Sequence, residues 1–474
     1  MTENRAGTET GEERLQKAGG ILLTVFLCVL IPVLSFYAPE GYQELGNQKF
    51  TAWRVIAVVF ALPLLVITAI RWVRTPRPGQ TAGKDDPGRN AFRPADLFAI
   101  LYGVFLTASF FLSYDRAESL WGTTGWRMGF LTELLFLLYY MFARIYPIRF
   151  RIVVPIAVLS GGGVLLTAVL ERAGIFLFSY QMPDEVFVST IGNVDWYCGY
   201  LAVVISLAVA LCLGSRAGER ICGGILFAAG ACSAVILGAN TGILLLVSCL
   251  PAMLLVLGDT KRIRRFLQAI AILAFLLFIV SYLGMLLAFH PAVWLPDLWY
   301  RFFTAGFGNG RGAIWRYAYE MLDHLPVWRL FVGVGPDAFA VYSYQDPQLL
   351  RTLTEYFGMA RLTNAHSELL TLILDEGIPA AAAYLLFILS ALMRIIRRNG
   401  DAGGADPTNT LTAAAIFAIV SVSVVQAVTF RTISATPFLF LLIGAAIREE
   451  ENKPVSTGAP SGQDPTERKN DEES

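Results

Sequence analysis

His366 is the residue of this chain best placed to accept a proton. Imidazole changes charge near neutral pH, and His366 lies just ahead of a long apolar segment. Asn364 is a good N-cap, so we expect His366 to be the second residue of a helix. A helix N-terminus disfavours a positive charge and offers free N–H groups to an anion. The position predicts a neutral base beside an anion such as phosphate; an interfacial histidine with an ordinary hydrogen bond is the alternative.

Six arginines lie in the polar stretch between His290 and Arg361 that precedes this histidine. Arg311 has a glycine on each side, which would let the backbone approach a ligand closely. Its planar fork of donors suits phosphate oxygens and keeps its charge. The segment is not a Walker A loop, because the Lys-Ser/Thr ending is missing. The pattern indicates an anion site, or else a helix start whose arginines face water or lipid headgroups.

Carboxylates also occur inside or beside apolar segments, where an ionised group is costly and is a candidate functional residue. These are Glu133, Asp375 and Glu376. Pairing with an arginine of another helix is the alternative. Between the arginines and His366, residues 314–330 have the pattern of an amphipathic helix that Pro326 ends. His324, just before this proline, is expected to be structural.

The composition determines the class of protein that must position these residues. Hydrophobic residues make up 55% of the 474 residues, charged residues only 16%, and the mean hydropathy is +0.56. A soluble domain is roughly a quarter charged. Apolar stretches long enough to cross a hydrocarbon core of about 30 Å recur along the chain, and at this length they are helices. We therefore predict an all-α polytopic membrane protein.

About twelve transmembrane helices are expected, with ten or eleven as alternatives. The predicted spans are 19–37, 53–70, 96–114, 128–146, 152–170, 197–214, 221–238, 241–257, 267–288, 366–393, 411–429 and 434–447. A large, partly helical loop, 289–365, separates the ninth helix from the tenth. The charged ends, 1–18 and 448–474, are predicted to be disordered tails.

Charge placement predicts the orientation. With alternating spans, one side of the membrane holds 25 of the 37 lysines and arginines and the other side holds 12. This asymmetry fits the positive-inside rule with both termini cytoplasmic and the 289–365 loop extracytoplasmic. Net charge is zero, so no nucleic-acid partner is expected. Neither a metal nor a cofactor is expected, because the six cysteines and three histidines lack metal-binding spacing.

Several short motifs, taken together, resemble the O-antigen ligase/polymerase superfamily of bacterial envelope polysaccharide enzymes. The resemblance covers about residues 120–390. Its motifs are Gly192-Asn193 ahead of Trp196-Tyr197, Arg311 followed by Trp315, Gly333-Val334-Gly335-Pro336-Asp337-Ala338-Phe339, Ala365-His366-Ser367-Glu368-Leu369-Leu370 and Glu376-Gly377-Ile378. Each motif is weak alone, whereas their order and spacing are more specific.

The resemblance implies a metal-independent glycosyltransferase of the bacterial inner membrane. Such enzymes join a glycan from an undecaprenyl-pyrophosphate-linked donor to an acceptor hydroxyl, on lipid A-core in ligases or on another lipid-linked glycan in polymerases. Carried over, His366 would be the general base and Arg311 would hold the pyrophosphate. The residues expected to contact substrate are Arg127, Asn193, Arg301, Trp315 and Glu368.

One departure from the family concerns the predicted eighth helix. Family members often carry a Ser-Arg pair at its outer end, where this chain has Ala239-Asn240-Thr241-Gly242. Either another arginine takes over, or the donor differs. Two other function classes stay open: a transporter or flippase of lipid-linked oligosaccharide, and a noncatalytic membrane protein of envelope glycan assembly. The clustering of polar groups at one predicted surface favours the enzyme over a transporter.

Overall fold

The computed structural model describes residues 10–74, 93–125, 127–176, 188–256, 307–358, 361–401 and 410–452, with five isolated positions between 265 and 276. Throughout these residues the regular structure is helical. The helices are α1 (Gly11–Phe36), α2 (Leu45–Arg74), α3 (Pro94–Phe111), α4 (Arg116–Trp121), α5 (Phe130–Ile145), α6 (Phe150–Arg172), the 3₁₀ turn Ser189–Ile191, α7 (Val194–Cys212), α8 (Ala217–Ile236), α9 (Asn240–Val256), α10 (Phe307–His324), α11 (Arg329–Val332), α12 (Phe339–Gln345), α13 (Pro347–Phe357), α14 (Glu368–Glu376), α15 (Ile378–Asp401), α16 (Thr410–Ala427) and α17 (Thr436–Asn452).

Eight of these helices are long and apolar enough to cross a membrane: α1, α2, α3, α6, α7, α8, residues 378–396 of α15, and α16. The prediction of a multi-pass helical membrane protein is confirmed at this level, and a lipid bilayer is its environment. Twelve spans remain a prediction. The ninth predicted span, 267–288, lies almost wholly outside the described residues, as does the start of the 289–365 loop.

The first helix begins before its predicted span. Residues 11–18 were predicted to be disordered, yet they form the first turns of α1. The Thr10 hydroxyl accepts from Glu13 N at 3.3 Å, and Thr10 N donates to the Glu13 carboxylate at 3.1 Å. This reciprocal pair is a capping box, which satisfies two backbone donors at the helix start. At the other end of the chain, α17 likewise continues to Asn452, beyond the predicted limit of 447.

Helix α16 is the centre of the bundle. Fifteen of its residues are buried, on every side of the helix. A helix that is apolar all round lies in a protein core or in lipid, and here α7, α9 and α17 pack against α16 and cover it. A second, smaller cluster of buried side chains joins the helices of the 307–376 region, with Trp315, Tyr317, Met321 and Phe339 fully buried.

The predicted amphipathic helix is present in shifted form. It runs over Phe307–His324, earlier than the predicted 314–330, and four residues of its expected inner face are buried: Tyr317, Ala318, Met321 and Leu325. The chain turns before Pro326, because proline restricts the residue ahead of it to extended backbone.

The predicted tenth span, 366–393, is two helices that meet at Gly377. This glycine has a φ of +91°, which stops α14 and starts α15 in a new direction. The last carbonyls of α14 are satisfied by a loop: Val334 N donates to Leu374 O at 2.9 Å and Gly335 N donates to Asp375 O at 2.8 Å. The break therefore docks the loop after α11 on the membrane helices.

Replacing Gly377 by alanine is expected to lower the stability of the detergent-solubilised protein. The added Cβ would lie 2.5 Å from the backbone carbon of Phe331, on a backbone conformation that alanine rarely adopts. The cost should be roughly 1–3 kcal/mol. Thermal unfolding followed by size-exclusion chromatography measures it. Gly162→Ala in α6 is the control, since nothing lies within 4 Å of its Cβ; an equal drop in both variants would contradict the packing argument.

Candidate functional site

Asp195 joins the two residues that the sequence singles out for chemistry. Arg311 Nη2 donates to its carboxylate at 2.9 and 3.1 Å, and His366 Nδ1 lies 3.5 Å from Asp195 Oδ2. The side chains of Arg311 and Asp195 are each 13% exposed and that of His366 is 27% exposed. Three segments far apart in the chain thus form one partly accessible group, called the Asp195 group below.

Asp195 is held at the start of α7 by its neighbour Asn193. The Asn193 side-chain oxygen caps the helix, accepting from Asp195 N at 2.8 Å and Trp196 N at 3.3 Å. A carboxylate in the first turn is stabilised by the helix dipole. Asn193, predicted to contact substrate, is therefore the N-cap that positions Asp195.

His366 does not lie inside a helix. Its φ is +45°, and α14 begins at Glu368 with Ser367 as N-cap, whose Oγ accepts from Leu370 N at 3.3 Å. The Asn364 side chain instead accepts from His366 N at 2.9 Å. Asparagine side-chain oxygens often accept a hydrogen bond from the backbone N–H two residues ahead, and here Asn364 forms this turn instead of capping a helix. The expected N-cap role of Asn364 is wrong, and His366 occupies a left-handed turn just before the helix.

The turn presents the His366 ring to Asp195 and to Phe430, whose ring lies edge-on at 5.4 Å. Left-handed backbone is costly for a residue other than glycine and persists only where the surroundings enforce it. Such strained positions cluster at active sites and ligand clamps.

The guanidinium donors of Arg311 form hydrogen bonds with other parts of the protein. Its Nε donates to Val428 O at 2.5 Å, and its Nη1 donates to Gly308 O at 2.8 Å. The Thr241 hydroxyl approaches both Arg311 Nη2, at 3.5 Å, and Asp195 Oδ1, at 3.4 Å. The start of α9 thus contributes a hydroxyl to the Asp195 group.

Arg127 and Trp315, two other predicted substrate contacts, are not part of the Asp195 group. Arg127, on a backbone with φ of +52°, donates from Nε to Asn47 Oδ1 at 2.8 Å. Trp315 is fully buried in the core of the 307–376 region. Arg301 lies outside the described residues. The tertiary structure therefore brings together His366 and Arg311, and it places Arg127 and Trp315 against other neighbours.

Arg431, which the sequence analysis does not single out, is the centre of a second group. Its guanidinium contacts the carboxylates of Glu133, Glu368 and Glu376, the last at 3.5 Å. Its Nη1 also donates to the Tyr102 hydroxyl at 2.8 Å. Its side chain is 4% exposed and those of the three glutamates are at most 7% exposed. We call these residues the Arg431 cluster.

The Arg431 cluster provides a partner for three carboxylates that the sequence analysis singles out. The carboxylates of Glu133 and Glu376 have the arginine partner that was the alternative to a functional role. Glu368, predicted to contact substrate, belongs to the same cluster, and its Oε2 also accepts from Arg431 N at 2.9 Å. Carboxylates inside predicted membrane helices indicate that a buried arginine pairs with them. Nothing in the sequence, however, identifies Arg431 as that arginine.

A small cavity lies between the two groups. Its volume is about 20 Å³, which is room for about one water molecule, and its lining includes Asn364, Asp375, Phe430 and Arg431. Asn364 and Phe430 also contact His366, so the cavity links the Arg431 cluster to the Asp195 group.

Asp337 lines the same cavity from the loop after α11. Its Oδ2 accepts from Thr123 N at 2.7 Å and from Met128 N at 3.0 Å. Burial raises the pKa of Asp337 to about 7 despite these two donors. The carboxyl therefore changes its charge near neutral pH, close to the Arg431 cluster.

Among the described residues, no three histidine, cysteine or acidic side chains are grouped as metal ligands. No protein-family model matches the chain, and a search of curated proteins finds no match.

Replacing Arg431 by glutamine is expected to destabilise the protein by about 3–5 kcal/mol, because three buried carboxylates lose their counter-charge. Adding Glu133→Gln should restore part of the loss, since one unpaired charge is then removed. The thermal midpoint in detergent measures both effects. Arg351→Gln is the control, as its pair with Glu355 is 82% and 64% exposed and contributes about 1 kcal/mol at most. A wild-type midpoint for Arg431→Gln would refute the structural role of the cluster.

Proposed function

We propose that this protein is a glycosyltransferase of the O-antigen ligase/polymerase type. It transfers a glycan from an undecaprenyl-pyrophosphate-linked donor to the hydroxyl of a glycan or lipid-linked acceptor, without a metal. The observation that carries the proposal is the contact between His366 and Asp195, in a partly accessible group at which three helix starts meet.

A carboxylate at Nδ1 is what a histidine base needs. It fixes the tautomer and orientation of the ring, and it stabilises the imidazolium that forms when the base takes a proton. The other ring nitrogen, Nε2, is then available for a substrate hydroxyl. The edge contact of Phe430 restricts rotation of the ring.

In the proposed reaction, the acceptor hydroxyl gives its proton to His366 Nε2. The acceptor oxygen attacks the anomeric carbon of the donor sugar. The bond from that carbon to the pyrophosphate oxygen breaks, and the leaving group departs with the electron pair. Attack from the opposite face inverts the anomeric centre. Cationic groups lower the barrier by stabilising the charge on the leaving pyrophosphate.

The role that we propose for Arg311 differs from the pyrophosphate binding that the sequence analysis expects. Arg311 uses Nε, Nη1 and Nη2 toward Val428, Gly308 and Asp195, so we assign it to holding Asp195 and, through it, His366. Arg127 and Arg301, which the sequence analysis expects to contact substrate, are then our candidates for donor binding. Among the described residues Arg127 bonds through Nε alone, which leaves both Nη groups for phosphate oxygens.

The same proposal includes a location. We infer from the positive-inside bias of the sequence that both termini are cytoplasmic and that the Asp195 group faces the outer side of a bacterial inner membrane. His366 and the starts of α7 and α9 meet in this group, so its polar side chains share one end of the bundle.

A transporter of lipid-linked oligosaccharide is the second candidate, and the Arg431 cluster is the observation that favours it. Buried ionisable residues of membrane helices often line ion or proton pathways. The enzyme is preferred because the partly accessible groups form a base and its orienting carboxylate, whereas the Arg431 cluster is closed by mutual ion pairs.

His366→Ala is expected to lower glycan transfer at least a hundredfold, since removal of a general base costs roughly 10²–10⁴ in rate. The assay uses purified protein in proteoliposomes with lipid-linked glycan extracted from the native membranes, and it measures conversion of donor to product. Because donor and acceptor are supplied on both faces, a defect in transport alone would leave transfer intact.

His324→Ala is the matched control. His324 Nδ1 pairs with Asp346 at 3.1 Å, and neither residue belongs to the Asp195 group. Loss of this partly exposed pair should leave the rate within about twofold of the wild type. Wild-type transfer by His366→Ala would end the histidine-base proposal, and an equal loss in both variants would argue for a general folding defect.

Arg311→Lys is expected to slow transfer by roughly ten- to a hundredfold, as one ammonium cannot reach the three acceptors that the guanidinium fork holds. Arg316→Lys, on the same helix but exposed, is its control. The pH dependence of the rate separates the roles: replacing a residue that positions the base should change the pH–rate profile. An unchanged rate and pH profile would contradict the assignment.

A further inference from the structure

A long crevice lies between α1, α6, α7, α16 and α17. Its volume is about 150 Å³, and its lining is almost wholly apolar, including Leu27, Val153, Tyr200, Leu207, Leu211 and Leu441. A cavity of this size lined by such side chains stays free of water and accepts apolar molecules. The crevice is therefore suited to hydrocarbon.

One end of the crevice is far from the Asp195 group, whereas the other end, at Tyr200, lies five residues beyond Asp195, or about 7.5 Å along α7. Along α7 its lining extends from Tyr200 to Leu211, and Leu211 is sixteen residues beyond Asp195. At 1.5 Å per residue the far end is about 24 Å from that carboxylate. The crevice thus extends from near the Asp195 group to the opposite end of the bundle, and this inference does not rest on the proposed function.

The length of the crevice matches one acyl chain. The eleven-residue step from Tyr200 to Leu211 corresponds to about 16 Å, which is half of a hydrocarbon core of about 30 Å. Several lining side chains of α6 and α7 are only half-buried, among them Val154, Ala157, Val203 and Leu207. The crevice is therefore open sideways between these two helices, where a lipid chain could enter from the bilayer.

Two exposed arginines flank the end of the crevice. Ile148 and Phe150 line it, and Arg149 and Arg151 alternate with them in sequence at the start of α6. A guanidinium binds phosphate oxygens through a planar fork, and basic groups at the mouth of a pocket between membrane helices favour anionic headgroups. The Thr410 hydroxyl is the polar side chain of the lining at the start of α16.

We propose that this crevice binds an anionic phospholipid, with one acyl chain between α6 and α7 and its phosphate at Arg149 and Arg151. The match in length and the charge at the mouth favour this occupant over a protein segment, which would need partners for its backbone polar groups. Because Arg149 and Arg151 lie at the end of the crevice that is remote from Asp195, the phosphate is held away from the candidate active site, and we assign the lipid as a structural ligand rather than a substrate.

Native mass spectrometry of the purified full-length protein tests the proposal, with dioleoylphosphatidylglycerol and dioleoylphosphatidylcholine as probes at equal concentration. The wild type should retain the anionic lipid more tightly, and Arg149→Gln or Arg151→Gln should each weaken that retention by roughly fivefold. Arg172→Gln, an exposed arginine at the other end of α6, should leave it unchanged. Neither arginine variant disturbs the interior, so folding does not complicate this comparison.

Filling the crevice tests the acyl-chain site. Ala157→Phe should lower retention of both lipids at least tenfold, whereas Leu159→Phe, an exposed position of the same helix, should not. Equal retention of the two lipids by the wild type, or full retention of phosphatidylglycerol after both arginines are replaced, would overturn the headgroup assignment. Undiminished retention by a folded Ala157→Phe protein, or no lipid bound to the wild type, would overturn the site.

Discussion

A guanidinium inside an apolar helix bundle must be surrounded by carboxylates, because the desolvation of an unpaired charge costs several kcal/mol. Arg431 meets this constraint with glutamates from α5 and α14 and with the Tyr102 hydroxyl of α3. These elements come from distant parts of the chain, so the cluster fixes their relative positions. The rest of the candidate site depends on where α14 is held.

Glu368 and Glu376 are the first and last residues of α14, and both contact Arg431. The short helix is thus fixed at each end. Its start lies directly after His366, so the strained turn that carries this histidine is held next to Asp195. At its end Gly377 breaks the helix, and the freed carbonyls bind the loop that carries Asp337. The buried Arg431 side chain therefore holds α14 at both ends and, with it, the position of His366.

The sequence predicted the helical membrane bundle well, because long apolar segments report directly on burial in lipid. It also singled out His366, one of only three histidines, and Arg311, which glycines flank. Asn193 and Glu368 were singled out, but the structure assigns them to a helix cap and to the Arg431 cluster. The helix start was misplaced at Asn364 because asparagine and serine both cap helices, and only the packing of His366 selects between Asn364 and Ser367.

By itself, the sequence determined the class of protein, most membrane helices and the residue types available for acid–base chemistry, since composition and periodicity act through local segments. Only the tertiary structure decided which of these residues meet. Asp195 contacts both Arg311 and His366, and Arg431 collects glutamates from two helices. Ion pairs between distant segments depend on how helices pack, and a single sequence carries no local signal of that packing.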